Sequence, residues 1–212
     1  MLDLVLTSFF ETLLMVFGSV AIGLAIGFPF GIVLFCTRKG GVSECVWINQ
    51  ILNVIINSLK AIPYIILSVL MIPVTRFLVG TSIGTLATLV PLGLSSSIAI
   101  ARMVEDTLDQ LPVGLKELGI TLGASHWQLL SKILLPECTS QLVSGITWVT
   151  VSMIGLSAMA GAVGGGGLGD LAIRYGYQRF NLEVLAGVVL ILIALVQAVQ
   201  VSGNQLSKHL KK

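Results

Sequence analysis

The sequence predicts an all-α membrane protein with five transmembrane helices, its N-terminus outside the cell and a long hydrophilic loop between the third and fourth helices. Of the 212 residues, 55% are hydrophobic and 10% are charged, whereas a soluble domain has roughly a quarter charged residues. Five stretches reach the about 20 apolar residues that cross a bilayer. They have to be helical, because lipid offers no partners to open backbone polar groups. We expect residues 1–212 to form a single transmembrane domain.

Four of the predicted spans contain no charged residue. They cover residues 12–37, 77–101, 138–169 and 184–207. The first is longer than the roughly 7–15 residue core of a signal peptide, and no basic segment precedes it, so we expect it to remain in the mature protein. Small residues at spacing four are typical of helices that pack closely. Two such series occur, Gly23, Gly27 and Gly31 in the first span, and Gly161, Gly165 and Gly169 later.

The remaining span, residues 46–75, is interrupted only by Lys60. Its first half carries a polar stripe at spacing four, formed by Asn49, Asn53 and Asn57, and its second half is almost wholly apolar. The pattern predicts a helix that begins at the membrane interface and enters the bilayer near Lys60, whose long stem can keep the ammonium group at the interface. We expect Pro63 to bend this helix.

The distribution of lysine and arginine predicts the orientation. Five crossings put nine of these residues on one side, namely Arg38, Lys39, Lys60, Arg102, Lys116, Lys132, Lys208, Lys211 and Lys212, and three on the other, namely Arg76, Arg174 and Arg179. Because cytoplasmic loops carry the excess of positive charge, the N-terminus is predicted outside and the loop of residues 105–137 in the cytoplasm. The basic residues are spread over short loops and form no stripe for nucleic acid.

The cytoplasmic loop contains signals for two helices joined by a glycine. Pro112 can open the first helix, since its missing N–H costs nothing there, and this helix should run to about Leu122. Gly123 can then adopt a positive φ and break the chain direction. Ser125 followed by Gln128 is a capping-box pattern for the second helix. We expect Pro136 to end that second helix at the step into the fourth span.

A spaced motif runs through this loop. Glu117 is followed by Gly123, Ile133, Leu135 and Pro136. The motif resembles the EAA loop of bacterial ABC importer permeases, which reads Glu-Ala-Ala, three residues, Gly, nine residues, Ile, one residue, Leu-Pro. The two alanines of that pattern are Leu118 and Gly119 in this chain.

The resemblance implies a cytoplasmic coupling helix between the third and fourth spans, through which a separate ATPase subunit moves the permease. It assigns the coupling role to a set of loop residues: Glu117, Gly123, Ala124, Ser125, Ile133, Leu135 and Pro136. The apolar side chains of the loop cover more than one face. We therefore expect some to pack on the chain's own helices and others to remain for a partner.

Segments outside the loop resemble the methionine-importer branch of these permeases, from about residue 9 to 200. They are residues 60–67, 71–84, 100–105 and 157–169, with Tyr175-Gly-Tyr177. Lys60 stands where that branch usually has arginine. The resemblance implies a multi-pass protein of the bacterial inner membrane that carries L- and D-methionine. Relatives of the same architecture move other amino acids, dipeptides or quaternary-ammonium osmolytes.

The same resemblance implies an assembly of two permeases, two cytoplasmic ATP-binding subunits and an extracytoplasmic substrate-binding lipoprotein. No internal repeat is visible among the five spans, so a homodimer with the pathway on its two-fold axis is expected. The resemblance also places Met159 at the gate that closes this pathway; the alternative is that Met159 simply fills space between helices. Arg102, Glu105 and Asp106 are candidates for ion pairs that hold the loop, or for solvated interface charges.

Several chemistries are not predicted. The chain has no Gly-x-x-x-x-Gly-Lys-Ser/Thr segment for ATP phosphates, and no strand is predicted before the glycine-rich run at 164–169 that a dinucleotide site would need. His126 and His209 are far apart and lie in loops, and the three cysteines have no metal-type spacing. No enzyme activity, cofactor or metal is therefore expected. A membrane scaffold that uses the loop only for docking remains the alternative class.

Overall fold

The computed structural model describes residues 2–41, 43–121 and 123–211, which form α-helices and two π-helical segments without a strand. The α-helices are α1 (Leu2–Thr37), α2 (Val46–Ala61), α3 (Tyr64–Leu70), α4 (Ile72–Val79), α5 (Thr85–Asp109), α6 (Val113–Thr121), α7 (His126–Gln128), α8 (Leu135–Glu137), α9 (Thr139–Ala162), α10 (Gly167–Leu171) and α11 (Leu182–Leu210). The π-helical segments are π1 (Leu129–Leu134) and π2 (Ala172–Tyr177). The predicted all-α class is confirmed.

Four of the described helices, α1, α5, α9 and α11, are long and apolar enough to cross a membrane. The pair α2 and α3 makes a fifth candidate only if both helices are counted as one span, because they meet at 105°. The structure therefore supports four or five spans in a multi-pass membrane protein.

The predicted bend near Pro63 is a complete break. Ile62 is extended, with φ −79° and ψ 122°, which is the conformation that a following proline favours.

Two glycines shift the start of the next span from its predicted position. Gly80 (φ 82°) ends α4 and Gly84 (φ 104°) precedes α5, so the span expected from residue 77 begins at Thr85. A positive φ at these positions costs a glycine little.

The first glycine series packs α1 directly against α5. A Cβ atom at Gly27 would overlap the carbonyl group of Ser97, and one at Gly31 would overlap the carbonyl oxygen of Ala101. The two backbones can approach this closely only because neither glycine has a side chain. The expected role in helix packing is confirmed, and the partner of α1 lies within the same chain.

The asparagine stripe of α2 faces the protein. Asn49 donates to the carbonyl oxygen of Leu34 at 2.8 Å, and Asn57 accepts from the Arg102 guanidinium at 2.7 Å. With Asn49 bonded to α1 and Asn57 bonded to α5, α2 runs along both helices, and Lys60 at its end lines a cavity together with Ser95, near the middle of α5. The placement of Lys60 at the interface stays a prediction; the structure adds that two of the three stripe asparagines bond to other helices.

The long helices alternate in direction and define two ends of the bundle. At one end, here called the elbow end, Arg38 after α1 forms an ion pair with Asp109 of α5, and Ser140 of α9 bonds Ser207 of α11 at 2.9 Å. At the opposite end a glycine-rich turn joins α9 to α10 and packs on α1. Each end thus gathers segments that are far apart in sequence.

Candidate functional site

The elbow at residues 113–137 begins with α6 and a left-handed glycine. Gly123 has φ 69°, and the N–H of Ala124 donates to the carbonyl oxygen of Gly119 at 3.0 Å. This bond from the residue after a left-handed glycine back to the last turn is the Schellman arrangement that ends helices. The predicted role of Gly123 as the break is confirmed. Leu122, the predicted helix end, lies outside the described residues.

The second half of the elbow begins with the predicted capping box. The Ser125 N–H donates to Oε1 of Gln128 at 2.9 Å, and the Gln128 N–H donates to Oγ of Ser125 at 3.3 Å. These reciprocal bonds satisfy backbone donors that a helix start otherwise leaves open. All three residues of α7 are exposed, as is Ser125. The elbow therefore presents α7 as a short, locally fixed helix at its outer surface.

The expectation that Pro136 ends the second helix is wrong. Helical structure continues from α7 through π1 and α8, and α9 follows after a single turn residue, Cys138. Pro136 lies in the first turn of α8, where a missing backbone N–H does little harm, and the wider π turn precedes it. A π segment of this kind is often found at functional sites. The consequence is an almost continuous helical path from the exposed α7 to the membrane helix α9.

Three leucines anchor the elbow to the bundle. Leu129, Leu130 and Leu134 of π1 are buried in the main core cluster, which also contains Phe35 of α1 and Leu108 of α5. Burying a leucine contributes roughly 1.5–3 kcal/mol. Among the described side chains of the elbow, two large apolar ones stay exposed, Leu118 to 53% and Trp127 to 73%. The elbow thus has an inner face held by the chain's own helices and an outer face left open.

The two departures from the Glu-Ala-Ala pattern fall on these two faces. Gly119 is buried, and a Cβ atom there would overlap Cδ1 of Leu129. Glycine therefore makes room for the leucine that anchors π1. Leu118 points to the open face. Of the remaining predicted residues, Ile133 and Leu135 are partly buried and Pro136 is exposed; the Glu117 side chain lies outside the described part of the structure.

The charged residues near the elbow end of α5 do not hold the elbow in the way considered from the sequence. Arg102 pairs with Glu105 of the same helix at 2.6 Å and with Asn57 of α2. An ion pair at the elbow end joins Arg38 to Asp109, and the Arg38 guanidinium also lies 5.0 Å from the centre of the Phe35 ring. Sequence reasoning missed this pair because its members are 71 positions apart.

Met159 lies near the end of α9, and its side chain is 51% exposed. It belongs to an exposed stripe at helical spacing that includes Trp148, Ser152 and Gly155, none of them fully buried. An exposed methionine is not filler within this chain. It is available to a lumen, to lipid or to a second chain.

The glycine-rich turn at the opposite end is tightly packed. Gly164, Gly166 and Gly167 have positive φ, and the N–H groups of Gly167 and Leu168 are bonded to Glu11 and to Thr12 of α1. The sequence offered no signal for Glu11. Beyond this turn, a hydrogen bond to the Asp170 carboxylate raises the pKa of Arg174. In the residues the structure describes, no His, Cys, Asp and Glu group has the arrangement of a metal site.

Fold and elbow together define a multi-pass helical membrane protein of the transporter-permease class. The sequence profile described as "Binding-protein-dependent transport system inner membrane component" matches residues 27–212, and the chain belongs to that family. A protein of Vibrio cholerae serotype O1 described as a probable D-methionine transport system permease protein MetI is 42% identical over 207 residues, which cover 98% of this chain and 92% of the relative. The D-methionine transport system permease protein MetI of Escherichia coli K12 is 42% identical over 76% of this chain and 74% of its own.

Solved structures agree with this assignment. A chain of the MetNI methionine ABC transporter in an inward-facing conformation superposes with a TM-score of 0.98 at 40% identity, covering 100% of this chain and 98% of that one. A chain of an amino acid ABC transporter crystallised with histidines superposes with a TM-score of 0.74 at 17% identity, covering 99% and 93%. The second similarity concerns the fold alone.

Proposed function

We propose that this chain is the permease subunit of an ATP-driven, binding-protein-dependent importer of L- and D-methionine. The observation that carries the proposal is the exposed helix α7, which the buried segment π1 attaches to the bundle. It occurs in a chain that is 42% identical to a probable D-methionine transport permease over nearly its whole length. The chain would be a single transmembrane domain from 1 to 212, with the type-1 permease domain at about 9–200. It acts without an ATPase site of its own.

The assembly we propose contains two copies of this chain, two cytoplasmic ATP-binding subunits and an extracytoplasmic binding lipoprotein, in a bacterial inner membrane. The elbow end faces the cytoplasm and the N-terminus lies outside. Support comes from the charges, because Arg38, Lys132 and Lys208 lie towards the elbow end, whereas Arg174 lies beyond the glycine-rich turn. The positive-inside rule assigns the end with more lysine and arginine, here the elbow end, to the cytoplasm.

Coupling follows from the way in which the elbow is built. An ATP-binding subunit seated on α7 would contact Trp127 and Leu118, the large apolar side chains of the open face. Since π1 is buried and leads through α8 into α9, displacement of α7 moves the membrane helix as well. Among the expected coupling residues, Gly123, Ala124 and Ser125 fix the angle of α7, and Ile133, Leu135 and Pro136 form its connection to α9. Glu117 is the remaining residue to which we assign the coupling role.

We further propose that Met159 narrows the pathway near its outer end. It lies on the same helix that the elbow moves, on the exposed stripe. In a dimer with the stripe on its axis, the two thioether side chains meet and exclude water. Apolar constrictions of this kind gate by dewetting.

Transport assays test the function directly. The permease is reconstituted in proteoliposomes with its ATPase subunits and binding protein, and ATP-dependent uptake of radiolabelled L- and D-methionine is measured. Other amino acids, dipeptides and quaternary-ammonium osmolytes serve as competing cargo. We expect saturable methionine uptake and methionine-stimulated ATP hydrolysis. A complex that hydrolyses ATP without moving any of these solutes would favour the scaffold alternative.

A further inference from the structure

A cavity of about 520 Å³ lies between α5 and α9. Its wall on α5 extends from Ser95 to Gln110, and its wall on α9 extends from Gly145 to Leu156. Fifteen residues of α-helix rise about 22 Å, so the cavity is an elongated passage. It reaches towards the elbow end, and at its other end Leu156 lies one helical turn from Met159. The cavity thus follows the face of α9 that carries the exposed stripe.

The charged residues in this passage differ in whether they have partners. Arg102 is neutralised by Glu105 and also bonds Asn57. Lys60 forms no ion pair and no side-chain hydrogen bond with any residue that the structure describes. It projects from the last turn of α2 beside Ser95, near the middle of the 25-residue α5. Lys60 is therefore an exposed cation without an ion pair among the described residues, at the level of the middle of α5.

Such a lysine is costly unless water or a ligand reaches it. An unpaired charge within the hydrocarbon region costs several kcal/mol, and the carbonyl end of α2 offsets only a fraction of this. Lys60 lines the passage, and the Ser95 hydroxyl lies in the same wall. Charged groups inside membrane proteins commonly mark solute pathways for this reason.

We propose that Lys60 contacts the carboxylate of the amino acid as it moves through this passage, an inference that rests on the proposed function. Trp148 and Leu156 on the facing helix give the thioether side chain an apolar wall. An ammonium on a flexible stem is a point charge without fixed geometry, so it accepts both enantiomers and any amino-acid side chain. Affinity at this point is weak, because a passage has to release what it binds.

Asp106 is a second contact, closer to the exit. It lines the same cavity and forms no ion pair among the described residues. It lies eleven positions after Ser95, or about 16 Å along α5, whereas the two charges of an amino acid are only a few bonds apart. The solute therefore meets Lys60 with its carboxylate first and Asp106 with its ammonium group later.

Equilibrium binding tests the contact at Lys60. The complex of permease and ATPase subunits, in nanodiscs without nucleotide or binding protein, is dialysed against radiolabelled L-methionine, and binding to the ATPase subunits alone is subtracted. We expect saturable binding with a Kd on the order of 1 mM that Lys60→Met weakens by about tenfold. Lys60→Arg and the control Lys39→Met, which removes an exposed lysine outside the passage, should bind like the wild type.

Competition on the wild-type complex gives a second measurement that needs no variant. Methioninol, which lacks the carboxylate, should displace methionine at least tenfold less well than D-methionine does. Equal competition by methioninol, unchanged binding by Lys60→Met, or no saturable binding by the wild type would each overturn the contact. If the complex with Lys60→Met does not assemble, the competition experiment alone tests the contact with the carboxylate. Failure of the proposed function is seen separately, as the absence of methionine uptake by the wild-type transporter.

Discussion

The Glu11 carboxylate accepts a hydrogen bond from the Gly167 N–H at 2.7 Å, across 156 positions of sequence. The neighbouring Thr12 hydroxyl accepts from the Leu168 N–H at 2.8 Å. Together they satisfy the first backbone donors of α10 from the side of α1. The glycine-rich turn is thereby fixed to the first membrane helix, at the end of the bundle opposite the elbow.

Removing this carboxylate should loosen the turn. Glu11→Ala leaves the Gly167 N–H without its acceptor, and an unmade bond at such a site costs about 1–3 kcal/mol. Glu11→Gln keeps an acceptor oxygen and should lose less. The free energy of unfolding is followed by thermal denaturation of the detergent-solubilised protein. Glu183→Ala, which removes an exposed acidic residue, is the control, and an equal loss from both alanine variants would contradict the role of Glu11.

The contact between α1 and α5 gives a second prediction. A Cβ atom at Gly27 would overlap the backbone of Ser97, which cannot rotate away. We expect Gly27→Ala to destabilise the protein by about 1–3 kcal/mol. At Gly187 in α11 a Cβ atom meets no atom within 4 Å, so Gly187→Ala should be neutral or slightly stabilising. Denaturant titration of both variants tests the difference, and unchanged stability of Gly27→Ala would refute the close approach.

Substitutions at Gly123 should act through the backbone conformation that they disfavour more than through the size of the new side chain. Its φ is 69°, yet a Cβ atom there would meet nothing within 4 Å. Gly123→Val should therefore cost roughly 1–2 kcal/mol of left-handed strain, tilt α7 and lower the methionine-stimulated ATPase activity. Gly123→Asn, which tolerates this conformation, should retain most of the activity. ATP hydrolysis and uptake are measured in proteoliposomes.

Gly114 provides the matched control for this experiment. It also lies in the elbow with open space around a Cβ atom, but without a positive φ. Gly114→Val should therefore couple normally. Equal activity of Gly123→Val and Gly123→Asn would show that the angle of the elbow does not govern coupling.

The gate assignment of Met159 predicts a leak. Met159→Ala removes apolar bulk from both subunits at a constriction, so ATP-independent methionine flux into proteoliposomes should rise several-fold while the protein stays folded. Met159→Phe should instead slow ATP-driven uptake. If neither variant changes flux, and Met159→Cys never cross-links two subunits in the resting state, the gate lies elsewhere.

Orientation can be tested by cysteine labelling. In a variant whose native cysteines are replaced, Tyr177→Cys should react with an impermeant maleimide on spheroplasts, because Tyr177 is 71% exposed at the end opposite the elbow. His126→Cys, in the exposed α7, should react only after the membrane is opened. The reverse pattern would place the elbow outside and remove it from cytoplasmic ATPase subunits.

The elbow shows which structural features local sequence signals can predict and which they cannot. The left-handed Gly123 and the capping box of Ser125 with Gln128 were both predicted, because each depends on residues within a few positions of one another. The continuation of the helix through Pro136 was not, since a π segment is stabilised by the burial of Leu129, Leu130 and Leu134 against other helices. No local pattern contains that information.

The sequence by itself determined the helical membrane class, the four uncharged spans and the motif of the elbow, because hydrophobic length, charge and spacing are properties of the chain read in order. Only the tertiary structure decided that Glu11 caps α10, that Arg38 pairs with Asp109 and that Lys60 lines a cavity beside α5. Each of these depends on contacts between distant segments. Their energies exist only after the helices have packed, so composition and periodicity carry no record of them.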